Sequence, residues 1–224
     1  MSKMLFLDRD GPINILGPKG FVHKPEYFHF TDGIFDVCHE ALAKDYRIVV
    51  ITNQTGIGLG DYTEKDMEEV HNYMKDEFRK EGIRISDIFY TKYPTSQNRK
   101  PSPGMFLLAK EKYELSHEDM FASVAIGDRQ KDAQAALFAG VGRVVYYQTS
   151  KVLDKEGRIV DRYPEDSKAE LEELTKDFKT LVILGQLIQA EGQSEPIAIE
   201  PKSLGSQGPK MEIIQDYKQI QGWL

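Results

Sequence analysis

Two aspartates two positions apart, Asp8 and Asp10, follow directly on the short apolar run Met4–Leu7, and Gly11 comes next. Three more polar clusters hold the same position relative to an apolar run. Thr52, Asn53, Gln54 and Thr55 close Arg47–Ile51, Asp128 and Arg129 follow Val124–Ile126 and Gly127, and Arg99 and Lys100 lie on the loop after Ile88–Tyr90. Each cluster alone has a plain structural explanation: Asp-x-Asp-Gly is commonly a turn, Thr-Asn-Gln a helix cap, and one lysine a solvated cation. Their shared placement points to chemistry. A carboxylate nucleophile beside a second carboxylate suits an aspartyl-phosphate mechanism, one attacking phosphorus while the other handles protons. Thr52 can hydrogen-bond a phosphoryl oxygen, and Lys100 can neutralise its charge. Asp8, Asp10 and Asp128 brought together would resist joint ionisation, which calls for a divalent cation. A few hard oxygen ligands, with room left for water and phosphate, fit Mg²⁺ better than zinc or calcium. His23, His29, His39, His71 and His117 are scattered and receive no metal role.

The elements that must position these residues alternate along the chain. Apolar runs at Met4–Leu7, Arg47–Ile51, Ile88–Tyr90, Val124–Ile126 and Arg143–Tyr147 read as strands, the first buried and the continuous second one buried on both faces. Between them lie helical patterns: Ile34, Val37, Cys38 and Leu42; a helix capped by Thr63 with Asp66 three residues on; Met105–Tyr113; and an alanine-rich helix closed by Gly140. Residues 12–32, with three prolines and two glycines before Gly33, read as a long loop. This order predicts an α/β fold: three layers, Rossmann-like, with a mostly parallel sheet and helices on both faces. Ligands in such sheets bind beyond the carboxyl ends of the strands, where all four clusters lie.

Past Thr149 the character changes. Residues 151–190 read as an extension docking on the core, with a small hairpin around Lys155-Glu156-Gly157 and a helix over Ser167–Ala190. Residues 191–224 read as a flexible or partner-binding tail with isolated apolar clusters, among them Ile213-Ile214. The catalytic domain is therefore expected within 1–150. The 224 residues carry 29 Lys and Arg against 36 Asp and Glu, a formal charge of −7, which argues against nucleic acid as the main partner. Cys38 is the one cysteine, so neither an intrachain disulfide nor a cysteine-based zinc cluster can form. The opening MSKMLFLDRDG lacks the apolar core of a signal peptide, and no run of eighteen apolar residues occurs. The expectation is a soluble, cytoplasmic protein with no membrane partner.

LFLDRDG, ITNQTG, RKPSPGM and IGDRQKDAQAA together resemble, in order, the four motifs of the haloacid dehalogenase-like phosphatases. The nearest branch is the one containing D-glycero-heptose 1,7-bisphosphate phosphatase and histidinol-phosphate phosphatase, and the likeness covers about residues 4–147. The resemblance implies an Mg²⁺-dependent phosphomonoesterase without a large cap domain, monomeric or weakly dimeric, acting on a small phosphorylated metabolite. It makes Asp8 the nucleophile and Asp10 the general acid/base, and Thr52 and Lys100 the holders of the phosphoryl group. Asp8, the Asp10 carbonyl and Asp128 would hold the metal. Asn53, Gln54, Thr55, Arg99 and Arg129 would face the substrate, while Asp132 would orient Lys100 or the loop rather than bind the metal directly. Two departures stand out. Pro12 occupies a position where the family usually has Thr, and Tyr90–Lys100 (YTKYPTSQNRK) lacks the Cys and His of that branch's zinc loop, so no zinc is expected. A histidinol-phosphate or other metabolite phosphatase is the alternative enzyme, and a catalytically silent phosphate-binding module the alternative without chemistry. A receiver domain has its Asp, Thr and Lys in another order, and a P-loop kinase needs GxxxxGK[ST], which is absent.

Overall fold

The computed structural model describes residues 2–161, 209–214 and 216–220. Its centre is a six-stranded sheet in the order β3-β2-β1-β4-β5-β8, every neighbouring pair parallel. The strands are β1 (Lys3–Leu7), β2 (Tyr46–Asn53), β3 (Ile85–Thr91), β4 (Val124–Gly127), β5 (Arg143–Tyr147) and β8 (Lys210–Ile214). Side chains alternate across a strand, so a strand buried on both faces must be apolar throughout. β1 shows this directly. Leu5 and Leu7 join one core with Ile34, Val37 and Cys38 of α1 (Ile34–Ala43) and Val70, Met74 and Phe78 of α3 (Glu64–Lys80). Met4 and Phe6 join the other with Met105, Phe106 and Ala109 of α4 (Gly104–Lys112), Met120 of α5 (His117–Phe121) and the alanines of α6 (Gln130–Phe138). Phe6 and Phe106 meet edge to face at 5.1 Å. The three-layer reading of the sequence is therefore what forms.

The capping box is present as expected: Thr63 N donates to Asp66 Oδ2 at 2.7 Å, and Asp66 N donates to Thr63 Oγ1 at 3.2 Å. Two short helices were not legible, α2 (Gly56–Leu59) and α5, because four or five residues give no period to read. The loop 12–32 is pinned to itself by Ile15 N to His29 O at 2.8 Å and Thr31 N to Ile13 O at 2.9 Å, and it carries a 3₁₀ turn at Pro25–Tyr27.

The tail expectation needs correcting over 210–220. Lys210–Ile214 is a sixth strand in register with Arg143–Tyr147 on β5. A 3₁₀ turn at Tyr217–Ile220 follows, in which Tyr217 stacks on Tyr147 at 4.8 Å and its hydroxyl donates to the Pro12 carbonyl at 2.8 Å. Five residues without alternation did not announce a strand; an open sheet edge supplied the partner. The hairpin around Gly157 does form, from β6 (Lys151–Leu153) and β7 (Ile159–Asp161), and it docks on the first loop through Leu153 N to Leu16 O at 2.8 Å. The helix read over Ser167–Ala190 and residues 191–208 of the tail lie outside the described residues. Among the described residues, no helix is long and apolar enough to cross a membrane.

Candidate active site

Strand order reverses direction at β1 and β4, and that is where a doubly wound sheet opens a crevice beyond its carboxyl ends. Asp8 leaves β1 there, its N–H still bound to Ile126 O of β4 at 2.9 Å, and Asp128 leaves β4 next to it. Gly11 makes their approach possible. Its φ is +106°, and a Cβ built on it would stand 2.6 Å from Asp128 Cγ.

Asp8, Asp128 and Asp132 each place a carboxylate oxygen within 4.8 Å of the others, all three buried. Lys100, 1% exposed, reaches into this cluster from the loop after β3. Its Nζ lies 3.0 Å from Asp8 Oδ1 and 2.7 Å from Asp132 Oδ1, and donates to the Ile51 carbonyl at 2.8 Å. Burial disfavours its charge, yet Asp132 and Asp8 outweigh that and hold its pKa above the ordinary lysine value. One ammonium does not balance three carboxylates. Burial, then Asp132 and Asp8, push the Asp128 carboxyl well above its usual range, against the pull of Arg129 and Lys100. Asp128 Oδ1 has no hydrogen-bond partner among the described residues. A buried orphan oxygen in an all-oxygen cluster fits a hard divalent cation such as Mg²⁺.

The sequence reading placed Asp10 among the clustered carboxylates, and this needs correction. Its side chain is not part of the carboxylate cluster and is held by four donors: Arg9 Nη2 at 2.7 Å and Gln54 Nε2 at 3.2 Å on Oδ2, Val22 N at 3.1 Å and Asn14 Nδ2 at 3.2 Å on Oδ1. Arg9, fully buried, was missed as a structural partner because an arginine between two aspartates reads as solvated. The structure encloses it, with Nη2 also donating to Val22 O at 2.7 Å.

Gln54 is likewise displaced from its expected place. It is 0% exposed and stands behind the crevice, bound to Asp10 and, at 2.9 Å, to Thr52 Oγ1. Asn53 borders the crevice, but its amide clamps the Lys100 backbone, accepting from Lys100 N at 3.0 Å and donating to Lys100 O at 3.1 Å. Asp132 pairs with Lys100 and accepts from Arg129 N at 3.0 Å, so α6 fixes the lysine.

The crevice itself has a volume of 150 Å³ and opens between Asp8, Asp10, Thr52 and Thr55 on one side and Arg99 and Arg129 on the other. Two cations on its wall escaped sequence analysis. Lys19 reaches from the first loop and pairs with Asp61 at 2.9 Å, and Lys131 sits on α6 with its pKa lowered by burial and by Arg129 and Lys100. Lys131 lies within IGDRQKDAQAA but was given no role there, and Lys19 belongs to no recognisable motif. Tyr62, also on the wall, was missed for the same reason.

Comparison with known proteins now bears on this geometry. A family model described as polynucleotide kinase 3 phosphatase matches residues 12–155. A D-glycero-alpha-D-manno-heptose-1,7-bisphosphate 7-phosphatase from Campylobacter jejuni is 43% identical over 157 residues, covering 70% of this chain and 87% of that protein. The chain belongs to the haloacid dehalogenase-like phosphatases. A D-glycero-beta-D-manno-heptose-1,7-bisphosphate 7-phosphatase from Yersinia pestis is 33% identical, covering 77% of the chain and 94% of that protein. Among solved structures, a D,D-heptose 1,7-bisphosphate phosphatase from B. bronchiseptica, complexed with magnesium and phosphate, superposes with a TM-score of 0.60 at 28% identity. It covers 66% of this chain and 81% of its own. This haloacid dehalogenase-like phosphatase is thus an enzyme that hydrolyses phosphomonoesters. The matched family region ends at residue 155, inside the β6–β7 hairpin, so β8 and the Tyr217 contact lie beyond it.

Proposed function

We propose that this phosphatase removes one phosphate from a D-glycero-D-manno-heptose 1,7-bisphosphate through a phosphorylated Asp8. The observation that carries the reading is the buried cluster of Asp8, Asp128 and Asp132 around a single ammonium, set at the crevice where the strand order reverses. The heptose substrate is supported by the curated relatives, named for the alpha anomer in one case and the beta anomer in the other, and by the cations Arg99, Arg129, Lys19 and Lys131 that line the crevice.

In the first half-reaction an Asp8 carboxylate oxygen attacks phosphorus, the bond from phosphorus to the ester oxygen breaks, and Asp10 gives its proton to the departing alkoxide. In the second, water attacks the phosphoryl-aspartate while Asp10 takes its proton, releasing phosphate and restoring Asp8. Lys100 holds Asp8 in line and offsets charge on the transferring group, and the Thr52 hydroxyl is positioned by Gln54 to donate to a phosphoryl oxygen. Asp8, Asp128 and the backbone carbonyl of Asp10 would hold Mg²⁺, which when bound supplies the positive charge that lets an anionic nucleophile approach an anionic phosphate. Uncatalysed monoester hydrolysis is slow enough that acceleration reaches up to about 10²¹-fold, which no single side chain provides.

The test is phosphate release from both heptose bisphosphate anomers, histidinol phosphate and nucleotides, with and without Mg²⁺. Turnover is expected on a heptose bisphosphate, to require Mg²⁺ and to vanish in Asp8→Asn. Undiminished turnover by Asp8→Asn removes the covalent mechanism, and turnover of nucleotides alone removes the sugar.

A further inference from the structure

We infer that Tyr62 is a positioning residue for proton transfer: its phenol fixes the side-chain amide of Gln54, and through it the placement of Asp10. The inference rests on the reading of Asp10 as the general acid. Gln54 is fully buried and its side chain makes three polar contacts. Nε2 donates to Asp10 Oδ2 at 3.2 Å and to Thr52 Oγ1 at 2.9 Å, while Oε1 accepts from the Tyr62 hydroxyl at 2.7 Å. An amide presents its oxygen and nitrogen on nearly the same outline, so shape alone does not decide which faces the carboxylate. Asp10 Oδ2, which also accepts from Arg9 Nη2, faces the amide as an acceptor, and that requires the nitrogen. The oxygen on the far side then needs a donor, and the phenol is that donor.

Tyr62 is itself held. Phe21 packs on its ring at 5.1 Å and His23 stacks on it at 5.7 Å, both from the first loop. Gly56 of α2 lies so close that any β-carbon there would run into the ring. Burial keeps the phenol protonated, hence a donor, throughout the working range. A residue that lies outside all four motifs therefore decides the orientation of the amide behind the acid. Without the hydroxyl, Oε1 is left buried and unpaired, and the amide turns over to bring its oxygen against Asp10. Asp10 keeps Arg9, Asn14 and Val22 as donors but loses the one that comes from β2's end.

The experiment compares Tyr62→Phe with the wild type on two esters: heptose 1,7-bisphosphate, whose alkoxide must be protonated as it leaves, and p-nitrophenyl phosphate, whose phenolate departs without a proton. kcat/KM reports the transfer to Asp8. A general acid contributes about 100-fold or more, so a misplaced one is expected to cost about 10-fold on the sugar phosphate, while the disturbed hydrogen bond from the Gln54 amide to Thr52, which serves both esters, is expected to cost about 2-fold on the aryl ester. KM for the sugar phosphate stays within about 2-fold, because Tyr62→Phe keeps the ring that forms part of the crevice wall. Gln54→Met, which leaves Tyr62 and its ring packing in place, is expected to give the same split, and adding Tyr62→Phe to it to cost less than about 2-fold more. Wild-type turnover of both esters and its loss in Asp8→Asn are measured alongside, so a failed mechanism is told apart from a failed inference. Equal losses on both esters, no loss, or full additivity of the two substitutions overturns it.

Discussion

Replacing Gly11 by alanine tests the site geometry with one methyl group. Two costs arise, and they can be separated. The first is conformational: φ of +106° is disfavoured for any residue with a β-carbon, by about 1–2 kcal/mol. The second is steric. The new carbon would lie 2.6 Å from Asp128 Cγ and 2.7 Å from its Oδ2, whereas ordinary carbon contacts lie at about 3.5–4.0 Å. Either Asp128 or the Asp8–Gly11 turn must therefore move by about 1 Å, and misplacement on that scale costs about 100-fold in rate. Gly82→Ala is the control. Gly82 has a similar φ of +73° and nothing within 4 Å of its would-be β-carbon. Gly82→Ala is expected to lose about 1–2 kcal/mol in urea unfolding and Gly11→Ala at least that much, its clash adding to the backbone cost, while only Gly11→Ala loses about 100-fold in kcat. The Mg²⁺ concentration for half-maximal rate should rise about 10-fold in Gly11→Ala, since a displaced ligand weakens its ion. Normal turnover and Mg²⁺ response in Gly11→Ala would refute the juxtaposition of the first turn with Asp128.

Two further outcomes bear on stability. His71 is buried beside the Arg9 guanidinium, and burial, Arg9 and Lys75 lower its pKa to about 3, so it folds neutral. Below its ordinary value near 6.5 the unfolded chain binds a proton that the folded chain refuses. Its share of stability is full above that pH and is lost progressively as pH falls toward 3. Urea unfolding should show the wild type losing up to about 2 kcal/mol more than His71→Gln between pH 7 and pH 5, and equal slopes would contradict the burial argument. At the other end of the chain, Tyr217→Phe removes the buried donor to the Pro12 carbonyl. That is expected to cost about 1–3 kcal/mol in urea unfolding, and an unchanged midpoint would mean the contact adds nothing.

β1, β2, β4 and β5 were legible because burial on both faces demands unbroken apolar runs, β3, a partly buried edge strand, only by its short run Ile88–Tyr90, and the Thr63–Asp66 box because its two residues satisfy each other three positions apart. β8 was not, since Lys210–Ile214 becomes a strand only by lying against β5. At the site, the residues that meet at the carboxyl edge could be named from their place after each strand. Their orientation could not. Sequence put Asp10 with the metal carboxylates, and Arg9, Val22, Asn14 and Gln54 pull it elsewhere.

The amino-acid order by itself determined the layered parallel sheet, the edge at which its polar residues emerge, and the phosphate chemistry their types allow. Those are consequences of local pattern, readable one segment at a time. Only the tertiary structure decided which carboxylates share a cavity with Lys100, which way the Gln54 amide faces, and that Tyr217, 205 residues from Pro12, closes the first loop. The reason is physical: a hydrogen bond or a carboxylate cluster is set by distances of a few ångströms between segments far apart in the chain, and no local period encodes them.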